Sequence, residues 1–161
     1  MSSIVVADAG PLHYLILIDC ADTLANLFDR VLIPTTVRDE LAHSDAPRKV
    51  KDWLTASRSW LSVEAVNPIP LAHLHRGEAE ALQLALQIKA AGVLMDDLDG
   101  RAEARRLGCT VIGTVGLLER AAEKGLLELP ATIARLRATN FFASEELLAA
   151  ALARDRQRRK S

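Results

Sequence analysis

Short β-branched runs alternate with longer amphipathic stretches along the whole chain. Ile4-Val5-Val6-Ala7 reads as a first strand, Val31-Leu32-Ile33 as a second stopped by Pro34, and Leu61 to Ala65 as a weaker third. Val93-Leu94-Met95 after Gly92 and Thr110-Val111-Ile112 before Gly113 make a fourth and a fifth. Near-continuous apolar runs suit strands buried on both faces, the situation in a parallel sheet. Between them, helical periodicity predicts helices over Pro11 to Ile18, Asp22 to Phe28, Val50 to Ala56, Gly77 to Ala91, Gly100 to Leu107 and Val115 to Lys124. Thr36 is expected to cap a helix carrying Val37, Glu40 and Leu41, with Asp39 at capping-box spacing. Gly92, Gly108 and Gly125 read as helix stops. Ala131 to Arg137 and a Ser144-capped stretch from Glu145 to Arg158 add two more helices after Pro130. The alternation implies a three-layer α/β/α fold around a central parallel sheet of about five strands with right-handed crossovers. No repeat or domain-sized linker interrupts it. Residues 1–161 therefore read as one domain, with helices 131–158 packed on it or at a dimer interface.

Composition narrows the class. A chain of 161 residues, half of them apolar and a quarter charged, is a globular domain with an adequate core. A net charge of −1 argues against a polybasic binder held by phosphate neutralisation alone. Cys20 and Cys109 form no CxxC pair, which suits a reducing compartment. No basic leader and no apolar run of about 20 residues is visible, so a cytoplasmic location is expected.

Topology then places the chemistry. In an open parallel sheet, ligands bind beyond the carboxyl ends of the strands, where strand order reverses. Asp8 follows the first strand, and Asp96 and Asp97 follow the fourth. Glu78 lies in the first turn of the helix leading into the fourth strand, and Glu40 just past the first turn of the helix after the second. All five carboxylates are expected on one rim, with no Lys or Arg at equivalent positions. At about 100° per residue, Glu78 falls on the apolar face with Ala81, Leu82 and Ala85, whereas Glu80 falls with Gln83 and Gln87 and is expected to face water. Each acid has a plainer reading. Asp8 could cap a helix, Glu78 could favour a helix dipole, Glu40 could be solvated, and Asp99 is expected to cap the helix after the acidic loop. None of these explains why the acids share one edge. Clustered carboxylates without a His or Cys cluster suit a hard cation, Mg²⁺ or Mn²⁺, which can activate water and stabilise a phosphodiester in flight.

The motifs that carry this pattern resemble those of the PIN-domain ribonucleases. Asp8-Ala9-Gly10-Pro11-Leu12 resembles the family's opening, and Ile33-Pro34-Thr35-Thr36-Val37-Arg38-Asp39-Glu40-Leu41 its second acidic motif. Gly77-Glu78-Ala79-Glu80-Ala81 and Leu94-Met95-Asp96-Asp97-Leu98-Asp99-Gly100-Arg101 resemble the remaining two. The likeness continues through Val111 to Gly116 and the late helices around Phe141, Phe142 and Ser144 to Leu147, and is strongest to a toxin-like branch similar to the VapC toxins. It implies Mg²⁺- or Mn²⁺-dependent cleavage of RNA, a homodimer, and control by a small antitoxin protein. It also implies Asp8, Glu40, Glu78 and one of Asp96 and Asp97 as the metal-binding and catalytic acids. Glu78 stands where such toxins carry Asp, and Met95 where a Thr-x-Asp pattern has Thr; which aspartate of the pair is the ligand stays open.

Other features weigh less. Arg101 and Arg105 are candidate phosphate contacts, and Thr114 could offer a hydroxyl or cap a helix. The basic tail from Arg154 to Lys160 could meet RNA or simply be solvated. Only six aromatic residues exist, so recognition of RNA through backbone and shape is expected, with Phe141-Phe142 in packing or a dimer contact. His73 and His75 read as surface residues near Glu78. There is no Walker A and no GxGxxG, and Asp97-Leu98-Asp99-Gly100 fails as an EF-hand because Met95 and Arg106 occupy ligand positions. A phosphoacceptor receiver domain would need Asp after the third strand and Lys after the fifth, where Ala65-Val66 and Gly113-Thr114 stand. The alternative that survives is a non-catalytic PIN-like module that binds RNA or protein, its acids serving as structural caps.

Overall fold

The computed structural model describes residues 3–67, 71 and 73–161. Five strands form one parallel sheet: β1 (Ile4–Ala7), β2 (Arg30–Pro34), β3 (Leu61–Glu64), β4 (Gly92–Leu94) and β5 (Val111–Ile112), in the order β3-β2-β1-β4-β5. Val5 pairs with Val31 on one side and Gly92 on the other, and Ala7 with Leu94. The helices are α1 (Ala9–Leu17), α2 (Leu24–Leu27, after a 3-10 turn over Ala21–Thr23), α3 (Thr35–Leu41), α4 (Arg48–Thr55), α5 (Arg76–Ile88), α6 (Leu98–Arg106), α7 (Thr114–Glu123), α8 (Leu129–Arg137) and α9 (Glu145–Arg159). The three-layer α/β architecture expected from the pattern is what the chain adopts.

Strand alternation feeds two cores. Val5, Ala7, Val31, Ile33, Leu94 and Ile112 face one side, where Leu12, Leu15, Leu117 and Leu118 pack, and where α8 and α9 add Ile133, Leu136, Leu148 and Ala151. Val6, Leu32 and Val93 face the other, covered by Ala81, Leu82 and Ala85 of α5 and Ala104 of α6. Both faces of the central strands are therefore dry, which is why their sequences read as unbroken apolar runs.

Several element ends differ from expectation. α1 begins at Ala9, so Pro11 is its third residue, where a missing N–H still costs no helical hydrogen bond. α3 begins at Thr35 with Pro34 at its N-cap and no side-chain cap, so the Thr36–Asp39 capping box does not form. α6 and α7 end as expected at Gly108 (φ +82°) and Gly125 (φ +72°). In both, paired backbone bonds close a Schellman turn: Cys109 N–H to Ala104 C=O and Gly108 N–H to Arg105 C=O in the first, with the same pattern around Gly125. α5 ends earlier than Gly92. Lys89 takes the left-handed conformation (φ +54°), and Gly92 opens β4. Ser144 caps α9 as expected, accepting from Leu147 N–H at 3.1 Å. Among the described residues, no helix is long and apolar enough to cross a membrane.

Candidate functional site

β1 and β4 are neighbours, yet β1 is followed in sequence by β2 on its other side. The strand order therefore reverses between β1 and β4, and that is where the two chain segments carrying acids emerge. Asp8 N–H donates to Leu94 C=O at 2.9 Å, tying the two strand ends together. A cavity of about 410 Å³ opens there, lined by Asp8, Glu40, Glu78, Asp96 and Asp97 with Ala9, Gly10, Pro11 and His75. The five acids proposed from the chain pattern thus share one cavity.

Asp8 occupies the N-cap position of α1, but its side chain caps nothing. It is buried and turned to the cavity. Burial pushes its carboxyl up to about 6; the Ala9 N–H opposes this, Asp96 and Asp97 reinforce it, and His75 opposes it. Glu78 is buried in the first turn of α5, and its Oε2 has no hydrogen-bond partner among the described residues. Burial, the charges of Asp97 and Asp8, and a hydrogen bond shared with Asp97 push it up to about 7, against a backbone contribution at His75. Glu40, exposed on α3, is raised by burial of its carboxyl end and by Asp8, lowered by His75 and raised by Glu80.

The last pair of acids divides its work. Asp97, not Asp99, caps α6: its Oδ2 accepts from Gly100 N–H at 3.1 Å. Asp96 is gripped by Thr114 at the start of α7. The Thr114 N–H donates to Oδ1 at 2.8 Å and its hydroxyl to Oδ2 at 2.6 Å. Thr114 is fully buried, so its hydroxyl is neither a free ligand nor a cap on its own helix. Arg101 leans from α6 against Gly113, near Asp96, and donates to Met95 C=O at 3.4 Å. With Arg105 it lines a second groove that shares Asp96 with the cavity.

Two features lay outside the sequence reading. Glu80 does not face water; it is 2% exposed and pairs with Arg76 one turn earlier at 3.1 Å. The single-face reading fails because α5 is covered by the sheet and flanked by α3 and α6 at once. The other feature is space made by glycine. A β-carbon on Gly77 would collide with the Glu40 carboxylate, and one on Gly100 would lie 2.7 Å from Glu78 Oε2 and 2.5 Å from Met95 Sδ. A glycine beside Glu78, and another three residues after Asp97, were the available signals. His75, a surface residue by sequence, stands at the cavity rim.

The donors are hard oxygens, one of them orphaned inside the protein, and two carboxyls are held against ionisation. Such a set fits a divalent cation, whose charge would offset both costs. Among the described residues, no three His, Cys, Asp or Glu side chains stand in a ready-made metal-holding group.

A family model described as a PIN domain matches residues 4–157 of the chain. Among solved structures, a PilT N-terminus domain protein from the hyperthermophilic archaeon Sulfolobus solfataricus P2 aligns with a TM-score of 0.55 and 19% identity, covering 73% of this chain and 92% of that one. This likeness concerns the fold. No curated protein matches the sequence significantly.

Proposed function

The chain belongs to the PIN-domain family, which generally includes nucleases, and from that premise we propose that the carboxylate cavity hydrolyses RNA phosphodiester bonds with the help of a divalent metal ion. The observation that carries this reading is a buried Glu78, its Oε2 orphaned among the described residues, in the wall of the same cavity as Asp8 and Asp97 at the point where strand order reverses. Asp8, Glu78 and Asp97 would hold Mg²⁺ or Mn²⁺, with Glu40 on the open side. Such an ion, when bound, would supply a nucleophilic water at neutral pH and stabilise charge on the phosphodiester. Asp96, with both oxygens tied to Thr114, fixes the position of the loop that carries Asp97. Glu40, exposed on α3 and lining the cavity, would accept a proton from the attacking water.

The toxin-like motif order supports a finer reading: the toxin of a toxin–antitoxin pair, a cytoplasmic homodimer restrained by an antitoxin protein. Asp8→Asn tests the mechanism. RNA cleavage in Mn²⁺ is expected to fall at least about a hundredfold while the variant melts no lower than wild type, since it removes a buried charge. Undiminished cleavage would overturn the proposal. Growth arrest on expression, relieved by the same substitution, tests the toxin reading.

A further inference from the structure

The groove beside the cavity has a volume of about 610 Å³, and Asp96 belongs to the walls of both. Arg101 and Arg105 of α6 and Arg120 of α7 line it. None of the three takes part in an ion pair among the described residues. Its two carboxylates are both engaged elsewhere. Asp96 is gripped by Thr114, and Glu119 accepts from Nε and Nη2 of Arg154 at 2.7 and 3.0 Å. The groove is therefore cationic although the cavity next to it is acidic.

Its other wall is apolar and open. Leu98 is 80% exposed and Phe142 91% exposed, and both line the groove. The tandem phenylalanines are split: Phe141 packs edge-on against Tyr14, with ring centroids 5.0 Å apart, whereas Phe142 is presented to solvent. A ligand that suits this surface carries several negative charges and flat apolar rings. A second copy of the chain suits it poorly, because a two-fold contact over this face would set three guanidinium groups against the same three. A duplex hides the faces of its bases by stacking, and a single strand offers them.

We propose that the groove seats the single-stranded stretch of nucleic acid flanking the bond to be cut, with Phe142 stacked on a base and Arg101, Arg105 and Arg120 on phosphates. The inference rests on the nuclease reading of the cavity, and it deepens it. The cavity alone repels a phosphate chain; the groove supplies the attraction and leads the chain along the Asp96 wall. One presented ring among guanidinium groups stands in for a broad stacking platform in a chain of few aromatics.

The test is fluorescence anisotropy with a labelled RNA oligonucleotide in EDTA, single-stranded and as a duplex, so that binding is read without cleavage. The single strand is expected to bind more tightly than the duplex. Phe142→Ala should weaken single-strand binding roughly tenfold, and Phe142→Trp should retain it. Replacing Arg105 and Arg120 together by Ala should weaken binding and reduce the slope of log K against log salt by about 1 to 2. Unchanged affinity in Phe142→Ala and in the double arginine variant, with cleavage still abolished by Asp8→Asn, would overturn the groove and leave the cavity standing. Undiminished cleavage by Asp8→Asn would overturn the cavity reading and, with it, the placing of the groove beside a scissile bond. A dimer that dissociates on Phe142→Ala, with oligonucleotide affinity unchanged, would show a protein interface instead.

Discussion

Asp8 and Glu78 gain protons on folding, because their carboxyls rise from 3.8 to about 6 and from 4.5 to about 7. The sign of the pH dependence follows. Between the unfolded and folded values the native state binds more protons, so stability falls as pH rises through that window. The contribution of these two carboxyls to the metal-free protein is expected to be full below about pH 4 and to shrink by on the order of 3 kcal/mol, after solvent screening, by pH 7.5, read by urea titration at each pH. Saturating Mn²⁺ should remove the decline; a decline that persists would show that the cavity captures no cation. Gly100→Ala tests the same spot by size. Its β-carbon has no room beside Glu78 and Met95, so a loss of roughly 1–3 kcal/mol is expected, with cleavage reduced more than tenfold. At this scale the sequence was informative about the five acids, because each follows directly from strand or helix placement. Glu80 was not legible, since its burial depends on neighbours α3 and α6 that no wheel drawn for α5 alone contains. The Asp97 cap was missed because three aspartates lie within four residues and only backbone geometry chooses among them.

The elements were legible in kind and order, less so at their ends. The pattern points to Gly92 as the stop for α5, yet the chain uses Lys89 in a conformation that disfavours a side chain by about 1–2 kcal/mol. Lys89 is exposed, so Lys89→Gly should relieve that strain with no lost packing. A rise in melting temperature of roughly 2–4 °C is expected by calorimetry. The junction between α6 and α7 offers a second test. Thr114→Val keeps the volume but removes the buried hydroxyl that donates to Asp96, taking one of two Thr114 donors from a half-buried carboxylate. A loss of about 2 kcal/mol is expected, with Thr114→Ser restoring both stability and cleavage. If Val is tolerated at wild-type stability, the grip on Asp96 is incidental.

For the whole molecule, ligand linkage gives the broadest measurement. A cation that binds only the folded chain should stabilise it by about 2.7 kcal/mol at a hundredfold excess over its dissociation constant, and Asp8→Asn should abolish most of that gain. A melting curve indifferent to Mg²⁺ and Mn²⁺ would favour the non-catalytic module. The neighbour groove belongs to this scale too. Its walls come from α6, α7 and the segment before α9, which meet only in the folded chain, and so it left no motif to read. The pairing of β1 with β4 has a temporal side. Asp8 leaves the ribosome early, but its neighbours Asp96 and Asp97 follow some ninety residues later, and the threonine that holds Asp96 later still. A nascent chain therefore carries Asp8, Glu40 and Glu78 before the rest of the cavity exists, and on the proposed reading no cleavage is expected until synthesis has passed Thr114.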